Sequence, residues 1–280
     1  MRTGEPRAGR AVSGLLLVPA LAACGAAEHV RELSTAERAV VRQAEEELVR
    51  RCMAAQGFRY WPAAVNDPEA SRQFDYVVDD ITWAGTYGYG PDAPTAGPNA
   101  TYRARLPAKS RKRYDRALDG SGRRVLKDTL PTGQTIQSPA EGCSAHAEQK
   151  LYGDRAVWFH ARVVADNLAP LYQRKVLAHP RYLRAERAWA ACMRERGFPY
   201  TSPGESRDRA TAARRSGAEV RTAVAEARCA RRTGLAEVAK ELDRKFGAPA
   251  RERYSAEVST QNRLRLHALS TARTIVTDPR

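Results

Sequence analysis

Apolar residues recur every three or four positions along much of the chain, and the first such run predicts a helix over 35–56. Val41, Ala44, Leu48, Cys52 and Ala55 fall on one face of it, and Ser34 with Glu37 three residues later forms a capping box at its start. A second run, Tyr182, Ala185, Trp189 and Cys192, begins after Pro180. Between them the pattern gives an irregular aromatic stretch over 58–102, a short basic helix over 107–118, and a loop rich in Gly, Thr and Pro over 119–139. A helix follows around Cys143, and a helical run over 154–178 is bent or broken at Pro170. Val220, Val224, Ala227, Leu235, Val238, Leu242 and Phe246 then trace one long stripe, expected to stop at Gly247 and Pro249 before a final helix over 251–275. The fold class is mainly α.

The two helical runs that carry Cys52 and Cys192 end alike. Cys52-Met53-Ala-Ala-Gln-Gly57-Phe58-Arg-Tyr60 returns as Cys192-Met193-Arg-Glu-Arg-Gly197-Phe198-Pro-Tyr200. A left-handed Gly closes each helix as its C′ residue, and the Phe after it turns back onto the Met five positions earlier, the hydrophobic contact of a Schellman motif. A thiol active site would need a Cys or His close by to lower the thiol pKa, and neither motif supplies one.

The N-terminal end carries a different pattern. Arg2, Arg7 and Arg10 precede an apolar stretch from Ala11 to Ala23 that is too short to span a bilayer, as a signal peptide requires. It closes on Leu21-Ala22-Ala23-Cys24, which looks like a bacterial lipobox, so 1–23 is read as a lipoprotein signal and Cys24 as the lipidated residue. An ordinary secretory signal that happens to hold a Cys is the other reading. Elsewhere no run of about 18 apolar residues appears in the 280, which excludes a membrane bundle.

With Cys24 assigned to lipid, Cys52, Cys143, Cys192 and Cys229 remain, and an even number outside the cytoplasm reads as two disulfides. Four cysteines allow three pairings. The repeat favours Cys52 with Cys143 and Cys192 with Cys229, each staple closing its own module, with Cys52 to Cys192 as the runner-up. The resulting division is a tether over 24–34, a first module over 35–177 holding the aromatic and basic insertion, and a second over 178–280. The boundary is soft, because the modules are expected to share helices.

The lipobox, the Cys-Met-x-x-x-Gly-Phe-x-Tyr motif, Tyr87-Gly-Tyr-Gly90, Pro98-Asn99 with Tyr102, Tyr114-Asp-Arg-Ala-Leu-Asp-Gly120, Gly142-Cys143 and Leu151-Tyr-Gly-Asp154 together resemble a group of secreted actinobacterial lipoproteins. The resemblance covers nearly all of the mature chain in short pieces. It implies a lipid-anchored envelope protein and carries over no catalytic residue.

Direct signs of chemistry are sparse. There is no His-Glu-x-x-His pair, Gly-x-Ser-x-Gly elbow or phosphate loop, and Gly85-x-x-Gly88-x-Gly90 lacks the helix that a dinucleotide site needs. His146 and Glu148 stand two apart, on different sides of a helix. Asp79 and Asp80 beside Glu69 and Asp75 lack the calcium-loop spacing, so no metal and no cofactor is expected.

Two surface features stand out. Nine of the 20 aromatics lie between residues 58 and 102, Trp61, Trp83, Tyr87 and Tyr89 among them; they form either a stacking platform for a glycan or peptide or a small second core. Residues 103–127 hold ten basic side chains, Arg111, Lys112 and Arg113 at their centre, against Asp115 and Asp119. The whole chain carries +15, with 40 of its 47 basic residues Arg. Outside a cell such a stretch meets anionic lipid or cell-wall phosphate in place of nucleic acid, or is a solvated basic helix. The expected protein is a non-enzymatic binding or accessory subunit on the outer face of the cytoplasmic membrane. Its partners would be the membrane through the lipid, and an anionic polymer, glycan or envelope protein. An envelope enzyme with a site assembled from dispersed residues is the alternative.

Overall fold

The computed structural model describes Met1 and residues 30–63, 67–90, 97–212 and 217–277. Cys24 and the rest of the signal segment lie outside these residues, and the tether is described only from Val30.

The chain is mainly helical. Its elements are α1 (Thr35–Ala55), α2 (Ile81–Tyr87), α3 (Pro98–Arg105), α4 (Ala108–Asp119), β1 (Val125–Thr129), β2 (Thr135–Pro139), α5 (Cys143–Tyr152), α6 (Arg155–Ala165), α7 (Gln173–Leu177), α8 (Pro180–Glu195), α9 (Pro203–Ala212), α10 (Ala218–Thr233), α11 (Leu235–Arg253) and α12 (Ser255–Thr277). α1 opens on the capping box: the Glu37 amide donates to Ser34 Oγ at 3.2 Å and the Ser34 amide to Glu37 Oε2 at 2.9 Å. Both repeat motifs close as Schellman turns. Gly57 (φ 80°) and Gly197 (φ 84°) are left-handed, and the amides of Phe58 and Phe198 donate to the carbonyls of Met53 and Met193 at 2.9 and 3.0 Å.

The two disulfides are Cys52–Cys143, joining the last turn of α1 to the first residue of α5, and Cys192–Cys229, joining α8 to α10. Each lies in its own apolar core. Cys143 packs with Val49, Met53, Tyr114 and Ala147; Cys192 and Cys229 pack with Tyr182, Trp189, Met193, Leu235 and Leu242.

Packing crosses residue 177 in both directions. α12 lies on α1, α5 and α6, where Ala268, Leu269 and Ala272 meet Leu33, Val41, Ala44, Leu151 and Trp158. Val77, Val164, Leu168, Tyr172 and Val176 join the core around the second disulfide. The staples follow the repeat, and the cores do not.

Two segments depart from the pattern-based expectation. The 119–139 loop holds an antiparallel hairpin, β1 with β2, in which Lys127 faces Gln137. The long stripe is also cut differently: α10 stops at Gly234 (φ 70°), and α11 runs through Gly247 and Pro249 to Arg253. Pro249 has no amide to give its helix, and the Arg251 guanidinium folds back to donate to the carbonyls of Asp243 (3.1 Å) and Arg244 (3.2 Å). A Cβ on residue 247 would stand 2.5 Å from Arg251 Nη1, so Gly247 makes room for the arginine that lies back along the helix.

Candidate functional site

The first disulfide supports a small helical face. Tyr114 on the inner side of α4 is 1% exposed, set against Cys143, Met53 and Val49. With that side buried, Lys109, Lys112, Arg113 and Arg116 fall on the outer side at i, i+3, i+4 and i+7, and all are exposed. Arg105, at the end of α3, is exposed as well. Among the described residues none of these five makes an ion pair, because Asp115 is taken by a forked pair with Arg103 at 2.5 and 2.7 Å.

The face is held rigidly. Arg111 points inward and donates to the carbonyls of Ala104 (3.0 Å) and Leu106 (3.2 Å), tying α4 to the end of α3. Arg113 lies over the Phe58 ring at 5.8 Å. An aromatic chain runs outward from there: Phe58 to Tyr114 at 5.4 Å, Tyr114 to Tyr102 at 5.9 Å, and Tyr102 to Trp61 at 5.5 Å, each edge-on. The Asn99 side chain clamps Trp61 by both backbone groups at 2.8 Å, and the residue is 38% exposed.

The candidate residues therefore separate. Lys112 and Arg113 lie on the outer side of α4, Trp61 is held against Asn99 and Tyr102 of α3, and Arg111 is a structural strut between two helices. Trp83, Tyr87 and Tyr89 are elsewhere, packed with Phe74 on Ala223 and Ala227 of α10. Trp83 is 5% exposed and donates its indole N–H to the Glu69 carbonyl at 2.7 Å; the Tyr87 hydroxyl donates to Asp67. The aromatic stretch thus forms two clusters, one over each disulfide-bearing half, because α2 docks on α10 and α3 docks on α4. Sequence reasoning passed over Arg105, Lys109 and Arg116 on the cationic face and Asn99 beneath Trp61. The helical spacing of 109, 112, 113 and 116 was the available signal.

Other candidate groups are engaged in structure. Asp80 caps α2 through the Trp83 amide and pairs with Arg72 at 2.8 Å, and Asp79 pairs with Lys240. Among the described residues no three His, Cys, Asp or Glu side chains gather as a metal site. Glu148 pairs with Arg155 at 2.7 Å, away from the exposed His146.

One carboxyl is sealed in the interior. Glu226 of α10 is 0% exposed, accepting from the Val78 amide at 2.9 Å and from the Tyr89 hydroxyl at 2.5 Å. Burial pushes its pKa up from the ordinary glutamate value. Ser206, whose hydroxyl is 2.8 Å from that of Tyr89, is also 0% exposed, and the trio docks the segment after α2 on α10. Clefts of about 300 and 810 Å³ flank residues 72–79.

No helix among the described residues is long and apolar enough to cross a membrane. No family model, curated protein or solved structure matches the chain.

Proposed function

We propose that this is a lipid-anchored extracytoplasmic envelope protein of the actinobacterial lipoprotein type, acting as a non-enzymatic binding or accessory subunit whose ligand is an anionic envelope component. The unpaired cationic face of α3 and α4 carries the reading. The two disulfides support an oxidising compartment, and Leu21-Ala-Ala-Cys24 supplies the anchor. Without the signal segment the chain still carries +13.

The test has two parts. The full chain should partition with membranes into non-ionic detergent, and Cys24→Ala should leave it unprocessed; an N-terminus well downstream of Cys24 without a lipid adduct overturns the anchor. Binding to an isolated envelope fraction should weaken as ionic strength rises past roughly 0.1 M, where the Debye length falls below about 10 Å. Lys112→Glu with Arg113→Glu should weaken it further. Salt-insensitive binding removes this face from the function.

A further inference from the structure

We propose that the cleft beside the tether binds the headgroup of a phosphatidylethanolamine from the leaflet that holds the anchor, its phosphate between Arg38 and Arg42 and its ammonium against Glu32 and Asp75. The inference rests on the anchored reading above, makes no use of the α3–α4 face, and adds a lipid that seats the protein on its membrane.

The first argument is the place of the cleft. Thr35, Arg38 and Arg42 fall on one side of α1 at i, i+3 and i+7. That side lines the cleft of about 810 Å³, whose other walls are residues 68–75 and Asp166 with Arg265. The volume is that of an ordinary small-molecule site. Its wall begins at Glu32, just past Val30, whose carbonyl accepts from Asn262 of α12 at 3.3 Å. Cys24 is joined to Val30 by six residue steps, which reach at most about 22 Å. A lipidated Cys24 therefore confines the cleft and the headgroups around its own lipid to one small volume, where effective concentrations are on the order of millimolar.

The second argument is charge. Of the four arginines that line the cleft, Arg72 is taken by Asp80 at 2.8 Å and Arg265 by Asp166 at 3.2 Å. Arg38 and Arg42 are exposed and make no ion pair among the described residues, and Arg38 is steadied by the Leu33 carbonyl, which accepts from its Nη1 at 2.6 Å. One helical turn apart, two guanidiniums repel each other until an anion sits between them. Glu32 and Asp75 line the same cleft, are exposed, and likewise make no ion pair among the described residues. The cleft thus holds two open charges of each sign. An anionic headgroup satisfies the arginines and is repelled by the carboxylates, and a choline headgroup has no N–H to give them. Phosphoethanolamine engages both pairs.

The test uses the full chain in non-ionic detergent micelles at about 0.15 M salt, where attraction between exposed charges is screened beyond about 8 Å. Native mass spectrometry counts added phosphatidylethanolamine, phosphatidylglycerol or phosphatidylcholine, and the same spectra show the lipid on Cys24. One phosphatidylethanolamine per chain should bind, roughly tenfold more tightly than either other lipid, and free phosphoethanolamine at equal concentration should not displace it. Arg42→Gln should weaken that binding about tenfold, and Asp75→Asn should bring phosphatidylethanolamine close to phosphatidylcholine. Arg174→Gln on α7, outside the cleft, should change neither. Helix content and both disulfides should match the parent in each variant. Equal binding of the three lipids, displacement by free phosphoethanolamine, or an Arg42→Gln variant that binds like the parent overturns this inference, and with the Cys24 adduct present the anchored reading stands. A chain without the adduct overturns both.

Discussion

The Tyr89 hydroxyl stands 2.5 Å from Glu226 Oε2 and ties the segment after α2 to the middle of α10, across 137 residues of sequence. Tyr89→Phe removes one of the donors to a buried carboxyl. The expected cost is about 1 to 3 kcal/mol, read as a lower urea midpoint at unchanged m-value. A midpoint equal to the parent's would show that the bond adds nothing to stability.

The pH dependence has a definite sign. Burial raises Glu45 to about 7, helped by Glu148 and Glu46 and opposed by Arg162 and Arg42, and burial raises Glu226 as well. A carboxyl raised in the fold contributes stability that is complete below its unfolded value of 4.5 and lost as pH climbs through the folded one. Glu47, lowered to about 2 by hydrogen bonds from Arg50 and Arg51 against burial, works the other way: its contribution is present above 4.5 and lost as pH falls toward 2. Stability should therefore decline between pH 4.5 and 7, and Glu45→Gln should flatten that decline. Thermal melts across this range decide it, and an unchanged slope in Glu45→Gln would assign the decline to other groups.

Two glycines should differ in their tolerance of a methyl group. At Gly142 (φ 96°) a Cβ would stand 2.5 Å from the Gly120 nitrogen and 2.6 Å from the Leu118 carbonyl oxygen, where the end of α4 crosses the start of α5. At Gly57 (φ 80°) nothing lies within 4 Å of it. Gly57→Ala should cost about 1 to 2 kcal/mol of left-handed strain, and Gly142→Ala distinctly more, with less Cys52–Cys143 formed on refolding. Equal melting temperatures for the two variants would contradict the crossing.

Loss of either disulfide should be severe, and slightly worse for the first. The bridges close separations of 91 and 37 residues, for which the chain-entropy relation gives about 4.6 and 3.8 kcal/mol. Paired Cys→Ala variants compared by urea unfolding test the order. Removing Cys52–Cys143 should also loosen the α4 face, seen as faster amide exchange at Lys112 and Arg113 than in the Cys192–Cys229 variant.

What was legible in the sequence was mostly local. The capping box, both Schellman turns, the helix after Pro180 and the disulfide pairing are set by residues within a turn of one another or by the repeat. The hairpin was hidden because its strands are five residues each and sit among turn-forming residues. Pro249 reads as a stop, yet α11 continues through it to Arg253. Trp61 and Trp83 look alike in sequence, and only the docking of α2 on α10 buries one ring while Asn99 holds the other at the surface. Arg111 likewise differs from Lys112 by one position, which on a helix is the difference between strut and open cation.

α12 closes over α1, so Val41 and Ala44 gain their lid only from Ala268, Leu269 and Ala272, more than 220 residues away in sequence. The core around Cys52–Cys143 draws on no residue of α12. The last described helix is thus a clasp: trimming it would bare one flank of α1 and leave the stapled flank covered.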